Sequence, residues 1–163
     1  MKKSLTKILT LTLAALTLLC ALLTTACDGG AKENDGYTFK AGNVTLSIGA
    51  SADVVAQLGT PTSFEESASC GGIPGTDKLY VFSGFRVKTT PGYDGDVICD
   101  IELTDDSVKT PEGLTIGSTK EQITSAMGVG EMNGENLIYK KGNMKLQFMI
   151  RDGFVTNIQY LTA

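Results

Sequence analysis

The chain has 163 residues and no histidine, with 14 basic against 18 acidic side chains. The missing histidine excludes Ser-His-Asp and Cys-His nucleophile systems, and a net charge of −4 makes the chain a poor partner for nucleic acid. The length past any leader suffices for one modest domain with a real core.

Residues 1–27 are expected to be a leader rather than part of the fold. Lys2, Lys3 and Lys7 form a positive start, and Ile8 to Leu23 is uncharged and rich in Leu, Thr and Ala. The segment Leu23-Thr-Thr-Ala-Cys27 then resembles the lipobox of bacterial lipoproteins, although Thr24 stands where that family usually has Leu. The resemblance implies that Cys27 is diacylated and becomes the mature N-terminus; Cys20, inside the apolar run, is a poorer candidate. An ordinary cleaved signal peptide and an uncleaved anchor are the alternatives. Several acyl chains would hold the chain stably on a membrane face.

Residues 28–36, DGGAKENDG, are polar and glycine-rich without apolar periodicity, and read as a flexible tether. Residues 37–163 form the folded part. Without Lys2, Lys3 and Lys7 the balance is 11 basic to 18 acidic, a net −7. That excess suits solubility first and a basic protein partner second. Cys70 and Cys99 remain as a pair, and export makes a disulfide between them the expected state, with free thiols or a metal pair as alternatives. Zinc is disfavoured because there is neither histidine nor a further cysteine to complete a site.

The first structured element is a strand over residues 43–48, with Val44, Leu46 and Ile48 on one face. It leads into a short helix. Ser51 stands at the N-cap and Asp53 in the first turn; Val54, Val55 and Leu58 form the apolar face, and Gly59 can close the end. Residues 63–69 are extended, 68–78 include a long glycine-rich loop, and 79–82 and 85–89 are strands about the Ser83-Gly84 turn. Residues 97–103 follow as a strand with Val97, Cys99, Ile101 and Leu103 on one face. A second helix starts at Ser118 or Thr119, carries Glu121 in its first turn, buries Ile123, Ala126 and Met127, and closes at Gly128. Strands over 136–140, 144–150 and 154–161 complete the chain. Lys145, Gln147, Thr156 and Gln159 fall between apolar positions, as in a sheet wet on one side.

The two helix regions echo each other, since both open with Leu-x-Ile-Gly. Ile98-x-x-Ile101-x-Leu103 echoes Val155-x-x-Ile158-x-Tyr160. The expected fold class is therefore α+β: two tandem units, about 43–104 and 111–163, each a helix plus antiparallel strands. They would form one continuous sheet with both short helices on one face. Ile116-Gly-Ser-Thr-Lys-Glu121, Leu58-Gly-x-Pro61 and the Asp152-Gly153 turn resemble the β-lactamase inhibitory protein-like fold and its single-unit relatives, the SmpA/OmlA-type outer-membrane lipoproteins. Residues 104–118 resemble more closely a group of uncharacterised lipoproteins of low-GC Gram-positive bacteria, as do Ser69-Cys70 and Asp77-Lys78-x-Tyr80. The resemblance spans about 37–161 and implies no chemistry.

Little in the pattern points to catalysis. Gly128-Val-Gly130 follows a helix instead of opening one. Asp94-Gly-Asp96 with Asp100 lacks the spacing of a calcium loop. Glu65-Glu66 and Asp105-Asp106 are adjacent pairs whose side chains diverge in a strand. The expectation is a membrane-anchored extracytoplasmic lipoprotein acting as a non-catalytic protein-binding or scaffold module of the cell envelope, with no cofactor and no metal. Its partners would be the bilayer, through Cys27, and an envelope protein. The open sheet face or the 68–78 loop would make the contact, with Tyr80, Phe82, Tyr139, Phe148 and Tyr160 as candidate contact residues. An apolar-rich face would support this and a charged one would count against it. The alternatives are an inhibitor or modulator of a cell-wall or β-lactam-related enzyme, a cell-wall enzyme, and a small-ligand sensor.

Overall fold

The computed structural model describes residues 36–163. Cys20, Cys27 and residues 28–35 of the expected tether lie outside the described residues.

The chain runs through β1 (Phe39–Ala41), β2 (Val44–Leu46), a 3-10 helix (Ala52–Leu58), β3 (Ser63–Ala68), β4 (Thr76–Phe82), β5 (Phe85–Thr90) and β6 (Val97–Leu103). Then come α1 (Lys120–Met127), β7 (Glu131–Asn133), β8 (Asn136–Lys141), β9 (Met144–Arg151) and β10 (Phe154–Thr162). β1 and β2 pair as a separate two-stranded sheet, and the other eight strands form an antiparallel sheet in the order β3-β4-β5-β6-β10-β9-β8-β7. Among the described residues no helix is long and apolar enough to cross a membrane.

This is a mostly β protein, and it corrects the expected α+β arrangement of tandem units. The helices are too short to set the class: seven residues wound as 3-10 and eight as α. The segment around Val44–Leu46, expected to belong to the first unit's sheet, pairs instead with β1, which the sequence pattern did not reveal.

Strand periodicity explains the large sheet. On β5, Phe85, Val87 and Thr89 are buried while Arg86, Lys88 and Thr90 are half-buried; on β9, Met144, Leu146 and Phe148 are buried. Tight turns fix the register. Asp152 and Gly153, with φ of 53° and 85°, make the left-handed pair that a two-residue hairpin needs.

Two bulges adjust which residues reach the core. Lys88 opposes Asp100 but Thr89 opposes Ile98, so Cys99 is the extra residue on β6. Val155 opposes Ile150 and Asn157 opposes Met149, so Thr156 is the extra residue on β10. Each bulge inserts one residue and shifts the alternation. Hence Ile98, Ile101 and Leu103 are buried on β6, and Val155, Ile158 and Tyr160 on β10. The expected alignment of Val97 and Cys99 with Ile101 is therefore corrected: Ile98 takes the core position.

The same core receives Phe39 and Leu46 from the hairpin, Val55 from the 3-10 helix and Ile123 from α1. Both helix starts are laced to the sheet. Gly49 N donates to Ile98 O (2.8 Å) and Ile98 N to Ala50 O (2.9 Å); Gly117 N donates to Val155 O (2.8 Å) and Val155 N to Ser118 O (2.8 Å).

Candidate functional site

The chemistry of the uncovered sheet face follows from pairing register. One row across it runs Glu65, Leu79, Lys88, Asp100, Leu161, Lys145 and Lys140; the next runs Ser63, Val81, Arg86, Glu102, Gln159, Gln147, Ile138 and Glu131. Charged side chains dominate its middle and are mostly tied to one another. Arg86 pairs with Glu102 (2.6 Å), whose other oxygen accepts from Asn157 Nδ2. Lys88 pairs with Asp77 (3.1 Å), which also accepts from Thr90 Oγ1 (2.8 Å). The Thr90 hydroxyl, with Ser69 and Lys88, holds the Asp77 carboxyl below its ordinary range. Burial, reinforced by Glu102, pushes Asp100 up to about 6 against the pull of Arg86 and Lys88. Asp100 Oδ1 has no hydrogen-bond partner among the described residues. A face on which most of the central charges are paired resists docking, because a partner must desolvate those pairs.

The five aromatic residues expected on a contact surface are mostly core, and this too is a correction. Phe148 and Tyr160 are fully buried, and Phe82 and Tyr139 nearly so. Strand parity is the cause: all four point to the covered face. Phe82 stacks on Phe85 at 5.0 Å between centroids, and Tyr139 donates its hydroxyl to Gly128 O (2.8 Å), closing the end of α1. Tyr80 alone stays half-exposed, with its ring 5.0 Å from Phe64.

Cys70 and Cys99 are free thiols, so the expected disulfide is corrected as well. Cys70 leaves from the end of β3 and Cys99 sits on β6, with β4 and β5 between those strands. Ser69 and Gly71, on either side of Cys70, lie against Thr90 of β5, and Cys70 itself is exposed while Cys99 is half-buried. Cys99 instead donates its thiol to Lys88 O (3.4 Å), and burial pushes its pKa up. Asp96, once a candidate cation ligand, is paired with Lys78 at 2.8 Å. No cluster of metal-ligating side chains occurs among the described residues.

Exposure concentrates at the sheet's β3 edge. All six residues of β3 are exposed, and Phe64 is 47% exposed. The strand pairs with β4 on one side and with no strand among the described residues on the other. Thr62 N and Oγ1 both donate to Val81 O (2.8 and 3.0 Å), and Ser69 N donates to Gly75 O (3.0 Å), so both ends are pinned. Glu65 and Glu66 sit mid-strand and point to opposite faces, a charge placement that discourages self-pairing of sheet edges. The expected 68–78 loop is shorter than anticipated, since Ala68 belongs to β3 and residues 76–78 to β4.

Two clefts border the 3-10 helix. One, about 360 Å³, lies between the 3-10 helix and β4, with Val55, Pro61, Tyr80 and Phe82 against the Lys78–Asp96 pair. The other, about 670 Å³, lies between the β1–β2 hairpin, the end of the 3-10 helix, the Ser83-Gly84 turn and residues 107–109. Nothing in the local sequence signalled either cleft, because their walls come from segments far apart in the chain.

No protein-family model matches the chain, and no curated protein matches it. Among solved structures it is similar to a DUF4309 family protein (YjgB) from Bacillus subtilis subsp. subtilis str. 168, at 18% sequence identity. The match covers 76% of this chain and 84% of that one, with a TM-score of 0.43. Likeness at that level carries no function across.

Proposed function

We propose that this chain is a non-catalytic protein-binding module of the bacterial cell envelope, held at the extracytoplasmic membrane face by an acylated Cys27, and that it takes its partner as an added strand along β3. The address rests on the leader and its lipobox-like end. The binding mode rests on one observation: a six-residue edge strand, exposed throughout and pinned at both ends. Edge strands of this kind recruit extended segments through main-chain hydrogen bonds. Glu65 and Glu66 select a segment with adjacent basic residues, because opposite charges across a strand pair stabilise it and like charges oppose it. Phe64 beside Tyr80 offers an apolar contact next to them. The internally paired sheet face disfavours docking there.

The test uses the full acylated chain in neutral-lipid nanodiscs, titrated with a ten-residue Thr/Val peptide carrying a central Lys-Arg pair. Binding should slow amide exchange across residues 63–68. The Glu65→Lys/Glu66→Lys variant should bind at least about tenfold more weakly, as expected for reversing two cross-strand charge pairs. A peptide that protects no β3 amide would sink the strand-addition reading. Absence of acyl chains on Cys27, read by mass spectrometry of the chain extracted from membranes, would sink the anchor.

A further inference from the structure

We infer that the larger cleft is a binding site for an organic anion with an apolar body, an aryl or short acyl phosphate or carboxylate. Its volume, about 670 Å³, lies within the range of small-molecule sites. Its lining sets Leu58, Val44 and the stacked rings of Phe82 and Phe85 beside the polar Asn43, Gln57, Ser83 and Ser107. Its charged lining is of one sign, Lys40 and Lys109, on a chain whose acidic residues outnumber its basic ones by 18 to 14. Both lysines are exposed, and neither forms an ion pair among the described residues.

The walls are held before any ligand arrives. A Cβ on Gly84 would meet Ser107 Oγ at 2.4 Å and Val108 Cγ1 at 3.0 Å, so the hairpin turn packs directly on the 105–108 loop. Thr104 N donates to Gly84 O (2.8 Å), and Thr115 Oγ1 donates to Val108 O (2.9 Å). Asp105 does not line the cleft; its Oδ1, packed beside the Gly84 turn, accepts from Ser107 N (2.8 Å) and from the Ser107 hydroxyl. Two ammonium groups outside any ion pair, lining one cleft with the Phe82 and Phe85 rings, suit a ligand with one anionic end and one flat or aliphatic end. The inference is independent of strand addition, since Lys40 and Lys109 lie outside β3 and β4.

The probe is 1-naphthyl phosphate, followed by fluorescence anisotropy with the full chain in phosphatidylcholine nanodiscs. The chain has no tryptophan, so the naphthyl signal is isolated. Saturable binding is expected, weakened at least about tenfold in Lys40→Ala/Lys109→Ala by loss of two charge-assisted contacts. Lys40→Arg/Lys109→Arg should retain it, and a neutral naphthyl glucoside should bind at least about tenfold more weakly than the phosphate. Both lysines are exposed, so the alanine variant should keep the parent's melting midpoint. Competition by phosphatidylglycerol discs would identify a lipid headgroup as the source of the anion, and absence of competition a soluble ester; either supports the site. Equal binding by the parent and the double alanine variant, or no saturable binding at all, would overturn the proposal.

Discussion

The two halves of the large sheet solve the same local problem differently. In both, a Leu-x-Ile-Gly segment is hydrogen-bonded to the first buried residue of an inner strand, Ile98 on β6 or Val155 on β10. In the β7–β10 half the helix that follows is α, with a full capping box: Gln122 N donates to Thr119 Oγ1 (3.3 Å) and Thr119 N to Gln122 Oε1 (2.8 Å). In the β3–β6 half the stretch from Ile48 to Gly59 is one residue shorter than that from Ile116 to Gly128. There the Ser51 hydroxyl accepts from Asp53 N and donates to the Asp53 carboxylate, and the segment winds as a 3-10 helix. Tighter winding rises about 2.0 Å per residue against 1.5 Å, so seven residues span about 14 Å and eight α residues about 12 Å. A shorter segment thus reaches a comparable distance. The outer edges differ more: β3 offers six exposed residues and β7 only three. Both edges are exposed, and the β3–β6 half leaves the longer one.

The comparison can be broken first in the core. Phe148→Ala, at a fully buried ring of the β7–β10 half, should cost about 3–5 kcal/mol in urea unfolding. Phe64→Ala at the β3 edge should cost under about 1 kcal/mol; a similar loss at both sites would refute the contrast. Asp100 comes next. Its folded pKa, about 6, lies above its ordinary 3.8, so the fold favours the protonated acid. The resulting penalty is absent at low pH, grows as pH climbs between those values, and is complete above about 6. Asp100→Asn should therefore stabilise by about 1–2 kcal/mol at pH 7, after allowing for solvent screening of a half-exposed group. The gain should vanish near pH 4, as read by paired unfolding curves.

Thr119→Ala should lose about 1 kcal/mol and Ser51→Ala less, because only the former dismantles a capping box. Equal losses would mean that the two helix starts are equivalent. The smallest effect belongs to Cys70→Ser, within about 0.5 kcal/mol at an exposed position, and a reducing agent should leave the melting midpoint unmoved. A midpoint lowered by reductant would restore the disulfide.

Much of the strand layout was legible because alternation and tight turns act locally. Residues 97–103 were bounded as they fold, and Ser83-Gly84 and Asp152-Gly153 turn as their residue types require. The three-residue steps in Ile98-x-x-Ile101 and Val155-x-x-Ile158 held the signature of both bulges, yet simple alternation placed Cys99 with Ile101. β1 and β7, three residues each, are too short to show a period. The aromatic residues misled because composition does not say which face of a sheet is covered; parity counted from Phe82 and Phe85 does. The lysine-lined cleft joins residues 40 and 109 and left no local trace.

The central claim is that the β3–β6 half binds through β3. A photo-crosslinking residue placed at Ser67 in β3, and separately at Asn133 in β7, would be activated in intact envelopes carrying the full chain. The account predicts one dominant protein adduct from Ser67, lost with Glu65→Lys/Glu66→Lys, and none from Asn133. Adducts from Asn133 alone, or from neither position, would contradict it.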